Sequence, residues 1–371
     1  MYKINDIVIG MDLETKLELV KRSPTEELIT EEELKTLLET KDHPQHYIGY
    51  EISGKLHLGI SFITCFKIKD LLDAGFNCCV FLADWHSVLN KKLGGDWERI
   101  RKGAKYFEEA FTFILGKKTP RLKFVLGSDL YHNKDEYWMN IVKIAKATTL
   151  PRIMRCLTIM GRKEDEKLDV GQLIYPCMQA ADIIELDVDV AHAGTDQRRV
   201  HMLLRDISEK LKTKKPIALH NHVLSGLAKP ERLGFDENPE IDLKISSKMS
   251  KSKPWTAIFI HDTPEQIRDK ISKAWCTEGE IENNPVLELA RYIIFRLQGT
   301  FEVDRPAKYG GCLEFETYGE LEDAFRNKQI HPQDLKNGVA DELAELLKPV
   351  REYFEKPAKR KLLDVFKENE E

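Results

Sequence analysis

The stretch from Tyr47 to Ala83 constrains the fold more than any other part of the chain. Tyr47-Ile-Gly-Tyr-Glu51 reads as a strand, Ser53-Gly-Lys-Leu-His-Leu-Gly59 is a glycine-spaced turn, and a helical pattern from about residue 60 to 74 stops at Gly75. Residues 77–83 then run apolar without alternation, as a strand does when helices cover both faces of a parallel sheet. Helix restarts at Asp96-Trp97-Glu98, and further strands at 122–126, 188–192 and 216–220 are separated by helical stretches near 98–115, 136–149 and 195–212. That order predicts an α/β fold on a doubly wound parallel sheet. Upstream, residues 12–40 have helical spacing, and Pro24-Thr-Glu-Glu27 and Thr30-Glu-Glu-Glu33 read as helix starts, so two short entry helices are expected. From Pro264 onward the pattern is helical, including 335–355, and residues 229–243, rich in Pro, Gly, Asp and Glu, read as a flexible surface connection.

A chain of 371 residues has room for about two domains, each with its own core. No apolar run approaches the roughly 18 residues of a membrane helix, and the N-terminal stretch has neither an apolar core nor a small-residue cleavage site, so a soluble cytoplasmic protein is expected. The seven cysteines form no CxxC pair and mostly lie in apolar stretches, which predicts reduced core thiols and no structural metal. A net charge of −5 argues against nonspecific coating of nucleic acid but leaves room for a local basic face.

Two motifs carry chemistry. The turn at 54–59 opens a helix after a strand, where backbone N–H groups can face a phosphate, although such a glycine pair is more often only a tight turn. His57 in it could equally be a surface or capping group. The run Ser246-Ser-Lys-Met-Ser-Lys-Ser-Lys253 could fold over a polyphosphate, although most Lys/Ser clusters are solvated loops. Tyr175, Gln179 and Asp182 fall at spacings of four and three on an otherwise apolar helix, so they share a face, either as a ligand site or as a hydrogen-bonded core network.

His57-Leu-Gly59 after the first strand, and Lys248-Met-Ser-Lys-Ser252 about 190 residues later, together resemble the two signatures of class I aminoacyl-tRNA synthetases. The resemblance narrows to tyrosyl-tRNA synthetases of the archaeal/eukaryotic type and covers residues 12–356, through Tyr47-Ile-Gly-Tyr-Glu51, Leu82-Ala-Asp-Trp-His86, Tyr175-Pro-Cys-Met-Gln-Ala-Ala-Asp182 and Gly194-Thr-Asp-Gln-Arg198. It implies that Tyr47 and Asp182 bind the phenolic hydroxyl of tyrosine and that Tyr175, Gln179 and Gln197 hold its ammonium. Glu51 and His86 complete the pocket, with Phe81 on the same wall. ATP would meet Gly49, His57, Gly59, Asp196 at the ribose, and Lys248, Met249, Ser250, Lys251 and Ser252. Asp196 could instead be a helix N-cap. His57, Lys248 and Lys251 are the expected catalytic charge stabilisers, Mg2+ would accompany ATP, and no editing domain is expected. For tRNA(Tyr), the resemblance points to Arg198 at the acceptor stem and to Tyr309, His331 and Asp334 at the anticodon, although an aromatic before Gly-Gly is otherwise a turn residue and an acid after Pro a helix cap.

The resemblance further implies a Rossmann-type catalytic domain over 1–258 with a helical insertion near 100–175, a helical anticodon-binding domain over 259–371, and a homodimer built on the insertion. One departure stands out: Ile60 occupies the place of the first signature's second histidine. A tryptophan enzyme of the same fold would have no use for Tyr47 and Asp182. An RNA-binding descendant without activity would need neither the lysine loop nor the pocket, and a general adenylyltransferase would lack the anticodon-like segments.

Overall fold

The computed structural model describes residues 11–116, 119–161 and 169–369; residues 1–10, the start of the stretch read for a targeting signal, and 162–168 of the insertion lie outside them. Six strands form one sheet in the order β1-β6-β5-β2-β3-β4: β1 (Thr25–Ile29), β2 (Gln45–Tyr50), β3 (Asn77–Leu82), β4 (Leu122–Leu126), β5 (Val190–Gly194) and β6 (Ile217–Asn221). All neighbours are parallel except the edge strand β1, which runs antiparallel to β6. From β2 the chain moves outward through β3 and β4, and from β5 it moves the other way to β6. Strand order therefore reverses between β2 and β5, which opens a crevice at their carboxyl ends.

The first helices are α1 (Leu13–Lys21), α2 (Glu31–Thr40), α3 (Leu58–Asp73), α4 (Asp84–Leu89) and α5 (Trp97–Leu115). One face of the sheet, with α1, α3 and α5, buries a core that continues without a break into the C-terminal helices. The other face packs against α6 (Gly127–Tyr131), α7 (Asp135–Ala147), α8 (Leu150–Cys156), α9 (Val170–Glu185) and α10 (Arg198–Leu211) around a second core. The stretch read as a helical insertion over 100–175 contains β4, a regular member of the sheet, so the added helices are those between β4 and α9.

Thr30 starts α2 as expected, through a capping box in which its hydroxyl accepts from Glu33 N–H and the Glu33 carboxylate from Thr30 N–H. Pro24-Thr-Glu-Glu27 does not start a helix. Residues 25–29 are β1, whose ladder with β6 satisfies the backbone, while Glu26 binds His222 and Lys244 and Glu27 binds His220 and Arg198. Those partners lie about 170 or more residues away, beyond any local signal. β5 begins two residues later than read, because the Asp189 carboxylate is held by Gln45 N–H, Lys41 and Lys214 at the strand entrance.

Residues 229–243 are not a free connection: buried Asp242 accepts from the N–H groups of Gly234 and Phe235, the Ser246 hydroxyl and Arg232, and α11 (Pro239–Ser247) begins within the segment. The C-terminal part is mostly helical, with α12 (Pro264–Ser272), α13 (Pro285–Leu289), α14 (Phe295–Gln298), α15 (Tyr318–Arg326) and α16 (Pro332–Glu355). It also holds a hairpin, β7 (Phe301–Val303) with β8 (Leu313–Phe315), too short to show a period in the sequence. Cys65, Cys78, Cys156 and Cys177 are buried free thiols, whereas Cys312 is exposed. No helix among the described residues is long and apolar enough to cross a membrane.

Candidate active site

The crevice at the switch point deepens into a cavity of about 1340 Å³. Tyr47, Gly49, Glu51, His57, Gly59, His86, Tyr175, Gln179, Asp182, Asp196, Gln197 and residues 248–252 all line it, so segments far apart in the chain converge there. The glycine turn is tied by backbone bonds to the segment just after the lysine loop: Leu58 N–H donates to Ile258 O at 3.0 Å, and His57 bridges Phe259.

Asp182 lies at the buried end, on α9. Its Oδ1 accepts from Tyr131 at 2.7 Å and Tyr137 at 3.0 Å, while its buried Oδ2 has no hydrogen-bond partner. Burial pushes this carboxyl up to about 8, and the two phenols only partly offset it. Tyr47, on β2, folds its ring back over Gly49, where a Cβ would overlap the Tyr47 hydroxyl; glycine is needed there for that reason. Phe81 packs against the Tyr47 ring at 5.8 Å and is fully buried behind it, so it supports the wall and does not line it. His86 stands edge-on to Tyr175 at 4.5 Å, with Nε2 3.5 Å from Asp182 Oδ2; burial pulls its imidazole down to about 3, so it is neutral.

Two turns of α9 away, Tyr175 donates to Glu51 Oε1 at 2.9 Å, and Glu51 also receives Asn90 and faces Lys92 at 3.4 Å. Gln179 and Gln197 approach each other at 3.5 Å, and Gln197 Nε2 donates to Ile159 O. The sequence's shared face is therefore real, and it turns both ways: Tyr175 and Asp182 are hydrogen-bonded core groups that also border the cavity.

At the open end, Lys248 pairs with Asp196 at 2.7 Å. Burial raises the Asp196 carboxyl, but the charge and hydrogen bond of Lys248 together with the Gln197 amide outweigh it and hold the group below the usual range. Asp196 is thus an ion-pair partner and caps no helix. Lys251 reaches into the glycine turn, donating to Ser53 Oγ at 3.0 Å with its ammonium 4.9 Å from the Phe107 ring centre. Gly54 makes room for it with φ of +146°, a backbone state few side chains adopt, and Lys251 Cδ lies 3.3 Å from where a Cβ would sit. Burial and nearby Lys92 pull Lys251 down to about 7.

His57 does not serve as a cation. Burial, reinforced by Lys251 and Lys248, pulls it down to about 3, so its buried ring can offer a hydrogen bond but no charge. Ser250 and Ser252 share a hydroxyl bond at 2.9 Å, and Met249 is buried in the core with its N–H on Leu224 O. Ile60 borders the cavity and packs against the apolar core, with no polar atom to offer.

Outside the cavity, Arg198 is exposed at the start of α10. Its Nε donates to both Glu27 oxygens, at 2.9 and 2.8 Å. In the C-terminal part, Tyr309 is 60% exposed on the loop between β7 and β8. Arg305 ties that loop to the segment before α16 by donating to Gly311 O and Gln329 O, and His331 Nδ1 caps α16 by accepting from Gln333 N–H. The helix cap is therefore His331, and Asp334 sits in the first turn. Reading the sequence missed Tyr131 and Tyr137 altogether, because α6 and α7 carry no motif and only the fold brings their hydroxyls to Asp182.

The family described as "tRNA synthetases class I (W and Y)" matches residues 39–348, and the chain belongs to it. Its relatives include tyrosine–tRNA ligases of Thermococcus sibiricus, 49% identical over 93% of this chain and 96% of that one, and of Pyrococcus furiosus, 45% identical over the same shares. A tyrosyl-tRNA synthetase from Pyrococcus horikoshii, crystallised with L-tyrosine, superposes with a TM-score of 0.88 at 43% identity, covering 96% of this chain and all of that one. Within the class, the chain therefore groups with archaeal tyrosine–tRNA ligases.

Proposed function

We infer that the cavity activates L-tyrosine with ATP and passes the tyrosyl group to the 3′ end of tRNA(Tyr), releasing pyrophosphate and AMP. The observation that carries this reading is Asp182: a carboxylate at the closed end of an aromatic pocket, with one oxygen held by two phenols and the other open. A ligand hydroxyl that reaches Oδ2 satisfies a buried polar oxygen, which accepts when ionised and donates when protonated, and a phenylalanine in the same place leaves it unpaired. Tyrosyl-tRNA synthetases are a known case of such selection without editing, at roughly 10⁵-fold. Tyr47 approaches the same hydroxyl, and Tyr175, Gln179, Gln197 and Glu51 face the ammonium end.

The first step needs no base from the protein. The tyrosine carboxylate attacks the α-phosphate in line, and the site aligns the reactants and stabilises charge on the departing pyrophosphate. ATP brings Mg2+ on its phosphate oxygens and water. Lys248 and Lys251 supply positive charge once each leaves its resting partner, Asp196 and Ser53 respectively; Asp196 is then free for the ribose, and His57 contributes a hydrogen bond. This assignment asks nothing of residue 60. The terminal adenosine hydroxyl then attacks the tyrosyl carbonyl and AMP departs.

We assign residues 1–258 to catalysis and 259–371 to anticodon recognition, with Tyr309 and His331 stacking on unpaired bases, Asp334 accepting hydrogen bonds from one, and the free amino groups of Arg198 at the acceptor stem. The protein acts in the cytoplasm as a homodimer through α7–α9, where Met139, Val142, Leu150 and Val170 are each more than half exposed, an apolar patch that a second copy would cover. ATP–pyrophosphate exchange with each of the twenty amino acids, without tRNA, tests the reading: exchange with tyrosine alone supports it, and silence with all twenty in protein that binds tRNA overturns it.

A further inference from the structure

A carboxylate from the C-terminal helices reaches back into the catalytic half of the chain. Glu288, on α13, accepts three hydrogen bonds: from His222 Nε2 at 3.0 Å and Ser225 N–H at 2.9 Å on Oε2, and from the Ser225 hydroxyl at 2.8 Å on Oε1. The segment it grips follows β6 and is the strip from which the lysine loop hangs. Met249 N–H donates to Leu224 O at 2.8 Å, Gly226 N–H donates to Ser247 O at 2.7 Å, and Ser225 bridges Lys248. His222 is fixed from its other side by Glu26 at 2.6 Å, which also holds Lys244 at 3.0 Å, and its ring stacks on Tyr292 at 4.1 Å, itself covered by Arg291. Burial alone would lower the His222 imidazole, but Glu26 and Glu288 raise it to about 9, so the grip is charge-assisted at neutral pH.

The same helical run continues through a π turn to Arg296, which reaches buried Asp70 on α3, the helix that His57 opens. The C-terminal helices thus touch the catalytic half at two charged points, one behind the lysine loop and one near the far end of the helix that follows the glycine turn. A loop whose backbone is paired to a strip moves with that strip, so the depth at which residues 222–226 sit fixes where Lys248 and Lys251 start their reach.

We propose that Glu288 is a positioning residue for tyrosine activation: through His222 and Ser225 it sets the lysine loop, so that the C-terminal helices contribute to a step in which no tRNA takes part. The proposal rests on the reading of residues 248–252 as part of the ATP site. Its test is ATP–pyrophosphate exchange with tyrosine, without tRNA, with rates per titrated active site. Glu288→Ala is expected to lower kcat about tenfold, the scale of lost charge-assisted hydrogen bonds, with the KM for tyrosine unchanged. Glu288→Gln can rebuild all three bonds by turning its oxygen to His222 and Ser225 N–H and its amide to the serine hydroxyl, so it should keep most of the rate. Ser225→Ala, which leaves the carboxylate in place, should lower kcat in the same direction by less. Combined with Lys251→Ala, Glu288→Ala should cost less than the product of the two single losses, because both act through one loop. A normal kcat per site in Glu288→Ala, or a fully multiplicative double variant, overturns the proposal while the proposed function stands. Wild-type protein that gives no exchange overturns both.

Discussion

Replacing Tyr137 by phenylalanine tests how the buried end of the pocket reads a hydroxyl. The ring stack with Tyr131, at 4.1 Å between centroids, would survive, while the hydroxyl's hydrogen bond to Asp182 Oδ1 at 3.0 Å would be lost together with its contact to the Tyr131 hydroxyl. Asp182 already has a raised pKa because burial outweighs its two phenol donors, so losing one makes its charged form harder still to sustain. Hydrogen bonds to charged groups are worth about 1.5–3 kcal/mol, and part of that is felt before the ligand arrives, which leaves about 1–2 kcal/mol on the bound state. The KM for tyrosine in pyrophosphate exchange should therefore rise about tenfold, while the weak use of phenylalanine, which asks nothing of Oδ2, stays as it was. Tyr131→Phe, which removes the shorter bond at 2.7 Å, should act at least as strongly. An unchanged ratio of tyrosine to phenylalanine efficiency in folded Tyr137→Phe protein would refute the claim that Asp182 reads the hydroxyl with help from these phenols.

Asp182 also gives stability a pH dependence. Its folded pKa of about 8 exceeds the ordinary 3.8, so the stability its proton supplies is complete below pH 4 and is lost as pH rises toward and through 8. Thermal melts should show Asp182→Asn gaining on wild type between pH 5 and pH 8.5; a constant gap across that range would contradict the burial argument. Val142→Asp, at a position 52% exposed on α7, should convert a dimer to a monomer in light scattering, and a dimer that persists would place the contact elsewhere. Tyr309→Ala should raise the KM for tRNA about tenfold or more, the worth of one stacked base, while leaving pyrophosphate exchange untouched; a loss of exchange would show that the residue acts through the fold.

What the sequence made legible follows from how far apart the interacting groups are. The turn from Ser53 to Gly59 and the helix face of Tyr175, Gln179 and Asp182 are local patterns, and both stand in the structure as read. The strand β1 was hidden because Glu26 and Glu27 find their partners across the sheet, so a pair of acids after proline looked like a helix start. The hydroxyls of Tyr131 and Tyr137 were hidden for a related reason, since no spacing marks two tyrosines as partners of an acid some 50 residues on. The lysine loop shows a third kind of limit. Its residues were recognisable, but their resting partners were not: Lys248 neutralises Asp196, and Lys251 lies in the glycine turn with its charge weakened by burial. Both lysines are thus held by groups that a nucleotide would also approach. Incoming phosphates offer them a stronger charge than Asp196 or Ser53 can, and the exchange of partners would leave Asp196 unpaired beside the ribose. On the proposed reading, Lys248 stays paired and Lys251 stays buried until the substrate that needs them arrives, and Ile60 adds no charge to the cavity.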